Sequence, residues 1–128
     1  MQTKTLSDYL SDANKIIPRL SYEETIKIIE EEKTLIIDVR EESEVFNTGI
    51  IKNAIHIPRG VLEFKLALNS PNNPIIIDDE TNILVYCAGG YRSALAAKTL
   101  AEIGFKKVFN IGGFGEWIEA GGEIQAHQ

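Results

Sequence analysis

Over residues 6–17, Leu6, Tyr9, Leu10, Ala13, Ile16 and Ile17 recur at spacings of three and four, an amphipathic helical pattern that Pro18 closes. Ser21 followed three residues later by Glu24 forms a capping box, and Tyr22–Glu32 carries Ile26, Ile28 and Ile29 on a second helix ending in an acidic run. The pattern then changes. Leu35–Val39 is apolar apart from Asp38, as expected of a strand covered on both faces of a parallel sheet. Ala54–Ile57, stopped by Pro58, and Asn82–Tyr86 read as two more such strands, with a helical segment over Val61–Leu68 between them. Asn69–Glu80 has the least regular pattern. Ser93–Ile103 predicts a helix ending at Gly104, Val108–Ile111 a last strand, and Glu116–Ala120 a short terminal helix. Strands alternating with helices imply right-handed crossovers, so the expected class is α/β: three layers, a mostly parallel sheet with helices on both faces.

Composition narrows the function. With 128 residues the chain has the length of one domain that buries about two-thirds of its unfolded surface, and no repeat or linker interrupts it. A net charge of −6 argues against a phosphate-tracking surface, so no nucleic-acid partner is expected. Apolar runs such as Ile75–Ile77 are far shorter than the roughly 20 residues that span a bilayer, and no membrane partner is expected. One cysteine cannot form an internal disulfide, and the first residues lack the apolar core of a signal peptide, so a reducing, cytoplasmic setting follows. With that cysteine and the separated His56 and His127, a Cys/His metal site has too few ligands. Gly113-Phe114-Gly115 lacks the third glycine of a dinucleotide fingerprint, since Ile118 stands there, so no nucleotide cofactor is expected.

Open parallel sheets bind ligands beyond the carboxyl ends of their strands. Directly after Asn82–Tyr86 comes Cys87-Ala88-Gly89-Gly90-Tyr91-Arg92. A cysteine at a strand end, two glycines free to take positive φ and a helix starting at once let backbone N–H groups converge on the Cys87 sulfur. The helix N-terminus and the Arg92 charge both favour thiolate over thiol. A lone cysteine is otherwise a small buried hydrophobe, paired glycines serve tight turns, and an arginine at a helix start is often merely solvated. Their combination points to a nucleophile.

In order along the chain, Ile37-Asp38-Val39-Arg40-Glu41, Phe46, Gly49 through Pro58, the Cys87–Arg92 loop, the helix to Gly104 and the closing Gly112-Gly113-Phe114 with Trp117 and Ala120-Gly121 resemble the rhodanese-like, single-domain sulfurtransferase family. The resemblance starts at about Leu20, which makes residues 1–19 an N-terminal helical extension and 20–128 the rhodanese-like domain. It implies persulfide chemistry without metal or organic cofactor: Cys87 takes a sulfane sulfur from a donor such as thiosulfate or glutathione persulfide and passes it to a thiophilic acceptor, cyanide in the laboratory. The backbone of Ala88, Gly89, Gly90, Tyr91 and Arg92 would form the anion cradle, Arg92 would attract the donor's anionic end, and Tyr91 would wall the entrance. Related cysteine phosphatases place five residues between Cys and Arg where four intervene here, which ranks phosphatase and arsenate reductase readings lower. A sulfur carrier or regulatory module acting on a protein thiol is the alternative that shares Cys87.

Other residues divide between structure and function. Asp38 and Arg40, at the end of the first strand, are expected as an ion-paired brace. Arg59 follows a strand end, where it either helps collect anions for Cys87 or faces solvent. His56, between Ile55 and Ile57, is expected to be packed or hydrogen-bonded in the sheet, and Phe114 and Trp117 to cover the core. Two positions depart from the family pattern: Ile50-Ile51 replaces the usual His-Ile after Gly49, and Asn53 stands where a glycine is usual.

Overall fold

The parity of side chains along the apolar strands builds the core. The computed structural model describes residues 2–67, 70 and 77–127. Its central strands are β1 (Thr34–Asp38) and β4 (Asn82–Cys87), flanked by β3 (Ile55–His56) and β5 (Lys107–Gly113) in the order β3-β1-β4-β5, all parallel. Alternate residues of a strand point to opposite faces. Ile37, Ile83, Val85 and Cys87 therefore join one buried cluster, while Ile36, Leu84 and Tyr86 join the other.

Helices cover both faces, as the α/β reading requires. On the Cys87 face lie α1 (Leu6–Ile16), α4 (Leu62–Leu66) and α5 (Tyr91–Ile103), with Ile17, Leu62, Leu66, Ala97 and Leu100 in the core. On the other face, α2 (Tyr22–Glu31), α3 (Glu42–Thr48) and α6 (Phe114–Glu119) bring Ile26, Val45, Phe114 and Trp117 against Leu84 and Tyr86. The Ser21–Glu24 capping box is present, with each side chain accepting from the other's backbone N–H, a device worth roughly 1 kcal/mol. Thr5 and Asp8 form a second box at the start of α1.

Several boundaries differ from the sequence pattern. Gly90 adopts φ +94° and starts α5 at Tyr91, two residues before the apolar periodicity begins. Helix α3, with only Val45 buried, carries too short an apolar face to show periodicity. A two-residue β2 (Ile50–Ile51) pairs antiparallel with β6 (Ile124–Gln125), so the departing Gly49-Ile50-Ile51 segment sits in a small second sheet. Asn53 takes φ +69°, the left-handed conformation a glycine would adopt most readily and asparagine tolerates better than most residues. A 3-10 turn at Arg59–Val61 precedes α4; Leu68 and most of Asn69–Glu80 lie outside the described residues. Among the described residues no helix is long and apolar enough to cross a membrane.

The segment after α1 is stitched to β5. Asn110 donates its N–H to the Pro18 carbonyl and its carbonyl accepts from Leu20. Ala13 and Ile17 are fully or almost fully buried, so the N-terminal helix is seated on the domain through apolar contact and backbone pairing together.

Candidate active site

Cys87 is the last residue of β4, at the carboxyl end of the sheet, and only 1% of its surface is exposed. The chain turns back over the sulfur. The Gly90 N–H donates to Sγ at 3.0 Å and the Ser93 N–H at 3.4 Å, while the Ser93 hydroxyl lies 3.4 Å away. Thus the cradle reaches one residue beyond Arg92, to the first turn of α5. The turn works only because β5 passes very close. A Cβ on Gly113 would lie 2.3 Å from the Ala88 carbonyl oxygen, and one on Gly90 would touch Gly112 at 3.4 Å. An irregularity between Val85 and Tyr86 shifts the β4–β5 register and sets Gly113 opposite Cys87.

Asn110 holds this turn from below. Its Nδ2 donates to the Gly90 carbonyl, and its Oδ1 accepts from the Gly112 N–H and the Ser93 hydroxyl, at 2.8–3.0 Å. A serine hydroxyl has one proton. While it is given to Asn110, Ser93 Oγ accepts from a Cys87 S–H; once the sulfur is ionised, rotation of the hydroxyl supplies Sγ with a third donor. Burial pushes the Cys87 thiol up, but the Ser93 hydroxyl and the Ser93, Gly90 and Gly89 backbone outweigh it and hold the thiol below its ordinary 9.0.

The arginines are deployed differently from one another. Arg40 is sealed inside: it donates to both Asp38 oxygens at 2.7–3.1 Å, to the Gly49 carbonyl and to Thr48, and it stacks 4.2 Å over the Phe114 ring. This joins the end of β1 to the start of β2. Arg92 extends from α5 to Glu44 on α3, with two parallel bonds of 2.6 and 2.9 Å. That pairing, chiefly its hydrogen bonds, holds the Glu44 carboxyl at about 2, well below its ordinary 4.5. Arg59 donates to Glu63 and to Thr99 on α5. His56 Nε2 contacts the Arg40 carbonyl at 2.7 Å, inside the sheet end.

A cleft lies beside the cysteine loop on its α1 side. It has a volume of about 230 Å³ and is lined by Leu10, Asn14, Arg19, Gly89, Gly90, Tyr91, Ala94 and Asn110. Beyond Tyr91, whose side is open to solvent, it meets a shallow groove along α1 that includes Leu6, Leu10 and Lys15. Arg19 lies flat against Gly112 and is paired with Glu116. The structure thus brings Cys87 to Arg92 together with Ser93, Asn110, Glu44, Arg19 and α1, none of which the loop motif identifies. Ser93 had a local signal, since it is the first residue past the motif on the helix it opens; Glu44 and Asn110 lie 48 and 17 positions from their partners and had none. No cluster of three or more His, Cys, Asp or Glu side chains able to hold a metal occurs among the described residues.

This geometry has relatives. Residues 21–120 match the family model of the rhodanese-like domain, and the chain belongs to that family. It is 30% identical over 135 residues to a mitochondrial protein of Schizosaccharomyces pombe that carries the provisional name thiosulfate sulfurtransferase, covering 95% of this chain and 90% of that one. A Bacillus subtilis protein provisionally named as a sulfur carrier is 33% identical over 105 residues; the match covers 81% of this chain but only 52% of that protein. A solved structure from Rhodopseudomonas palustris, of unknown function and with tyrosine phosphatase suggested for it, superposes with a TM-score of 0.88 at 37% identity over 98% of this chain and 97% of that one. That last match includes the N-terminal helix, which lies outside the family model.

Proposed function

We propose that the protein is a sulfurtransferase in which Cys87 carries a sulfane sulfur as a persulfide between a small-molecule donor, thiosulfate or a low-molecular-weight persulfide such as glutathione persulfide, and a thiophilic acceptor. One observation carries this reading: the donors from Gly90 and Ser93 that converge on a buried Sγ. A buried anion is costly unless hydrogen-bonded, and here the bonds are in place before the charge forms. With thiosulfate, the Cys87 thiolate attacks the outer sulfur; the S–S bond of the donor breaks, sulfite departs with the electron pair, and Cys87–S–S⁻ remains. Cyanide then takes the outer sulfur as thiocyanate and the thiolate is restored. Neither half needs an oxidant or a metal, and no base is required once the thiolate exists.

The backbone from Ala88 to Arg92 serves as the anion loop in this scheme, Tyr91 as the entrance wall, and Asp38 and Arg40 as a brace outside the chemistry. Arg59, tied to Glu63 and Thr99, is assigned no role in the reaction. Residues 20–128 form the transfer domain and residues 1–19 an extension that completes its mouth. A lone thiol persists in a reducing compartment, which favours the cytoplasm. A protein thiol as acceptor is the second reading, supported by the open groove beside Tyr91 and by the relative named as a sulfur carrier. Oxyanion hydrolysis is disfavoured, since the two terminal nitrogens of Arg92 are both engaged by Glu44.

The test is thiocyanate formation from cyanide with thiosulfate or glutathione persulfide as donor. Parallel double-reciprocal lines and loss of turnover to background in Cys87→Ser are expected. Full turnover in Cys87→Ser would overturn the scheme.

A further inference from the structure

Asn110, on β5 beneath the cysteine turn, is a polar side chain only 4% exposed. Its amide has one orientation. Nδ2 donates to the Gly90 carbonyl at 3.0 Å while Oδ1 accepts from the Gly112 N–H at 3.0 Å; turning the amide over would set donor against donor and acceptor against acceptor. Oδ1 is therefore purely an acceptor where it meets the Ser93 hydroxyl at 2.8 Å. The same hydroxyl lies 3.4 Å from Cys87 Sγ and has one proton for two acceptors. Asn110 and the sulfur compete for it.

Which of them wins depends on where the charge sits. In the thiolate the full negative charge is on Sγ and the hydroxyl turns to it, which leaves the lone pairs of Ser93 Oγ facing those of Asn110 Oδ1. In the loading step the thiolate attacks the outer sulfur of thiosulfate, the donor's S–S bond breaks, and sulfite leaves with the electron pair. The charge then rests on the outer sulfur of Cys87–S–S⁻. Sγ, now bonded to carbon and sulfur, is a weak acceptor, and the hydroxyl returns to Asn110. The proton stays on the serine oxygen throughout; only its direction changes.

We infer that Asn110 is a positioning residue that acts through the Ser93 hydroxyl to favour the sulfur-loaded form of Cys87 over the bare thiolate. This rests on the sulfurtransferase reading and adds to it what sets the balance between the two forms of the carrier. The charged groups around the turn are each held elsewhere: Arg92 on α5, which feels Cys87, by Glu44 of α3; Arg19, against Gly112, by Glu116 of α6; and Asp38 at the end of β1 by Arg40. All are kept in every variant compared.

The experiment measures two quantities on the full chain in wild type, Asn110→Ala, Ser93→Ala and the double variant. One is the pH midpoint of Cys87 alkylation by iodoacetamide. The other is the equilibrium fraction of persulfide by intact mass above that midpoint, at a fixed ratio of thiosulfate to sulfite or of cysteine persulfide to cysteine. Asn110→Ala frees the hydroxyl for Sγ, so it is expected to lower the loading equilibrium about fivefold and the alkylation midpoint by about 0.7, the scale of one neutral hydrogen bond. In the Ser93→Ala background the same substitution is expected to change neither by more than about twofold. Loosening of the turn alone would act in both backgrounds and raise the midpoint. Asn110→Asp keeps an acceptor toward Ser93 and strengthens it, so both quantities move the opposite way; the part of its shift that Ser93→Ala abolishes carries the test if Asn110→Ala does not fold. Equal changes in the two backgrounds, a raised midpoint in Asn110→Ala, or no response to residue 110 overturns this inference alone. A wild type that loads from neither donor overturns the sulfurtransferase reading and the inference with it.

Discussion

Two arginine–carboxylate pairs of this chain share a bidentate geometry and differ in surroundings. In Asp38–Arg40 the side chains are 0% and 3% exposed; in Glu44–Arg92 they are 32% and 38% exposed. The first was taken wholly out of water, so each member depends on the other, and it fastens β1 to the turn before β2. The second keeps partial hydration and joins α3 to the first turn of α5, directly after the cysteine loop. One pair is therefore a structural brace, and the other can be opened at modest cost. Identical chemistry at two depths gives a fixed element and an adjustable one.

The largest effect is expected from breaking the buried pair. Arg40→Met leaves the Asp38 carboxylate uncompensated and should destabilise the protein by about 3–5 kcal/mol, read as a shift in the urea midpoint. Asp38→Leu combined with Arg40→Met should recover a large part of that loss, because no orphaned charge remains. A double variant as unstable as the sum of the singles would show that the charges act independently. Arg92→Met, by contrast, should change stability by no more than about 1 kcal/mol, as for other half-exposed pairs. A loss as large as that of Arg40→Met would erase the distinction between the two.

The pairs should also separate in acid. Glu44, ordinarily at 4.5, is held at about 2 in the folded protein by Arg92. A depressed folded value contributes stability that is present above pH 4.5 and lost as pH falls toward 2. Asp78, held at about 2 chiefly by its bond to Lys33, adds to the same slope. Glu44→Gln should therefore flatten, without abolishing, the fall in thermal midpoint between those limits; an unchanged slope would mean that Glu44 does not keep its partner in solution.

A smaller and more local effect belongs to Ser93. With its hydroxyl removed in Ser93→Ala, Sγ keeps the Gly90 and Ser93 backbone donors and loses one. The Cys87 thiol should rise toward its ordinary 9.0, so the pH–rate profile of sulfur loading should move to higher pH while the plateau rate changes little. A profile that stays in place would remove Ser93 from the cradle.

How much of this was visible in the sequence follows from contact range. Asp38 and Arg40 stand two residues apart at a strand end, so their pairing was legible without a fold. So was the placement of Cys87 at a strand end before a tight turn, because a strand, two glycines and a helix start are adjacent in the chain. Glu44 and Arg92 meet only after the sheet places α3 beside the start of α5. The Asn110 contacts need β5 in register with β4, including the irregularity at Val85/Tyr86. Helix α3 shows no apolar stripe because Val45 alone is buried, and two-residue strands such as β2 and β6 are below the length at which alternation can be read. The N-terminal helix was evident as a helix, but only the structure puts Leu10 and Asn14 in the cleft wall.

The most direct test of Cys87 as a sulfur carrier is the intact mass of the purified protein before and after incubation with thiosulfate or cysteine persulfide, and again after cyanide, with Cys87→Ser alongside. The predicted result is a gain of one sulfur atom in wild type only, located on Cys87 and removed by cyanide with release of thiocyanate. An unchanged mass with both donors, or the same gain in Cys87→Ser, would contradict it.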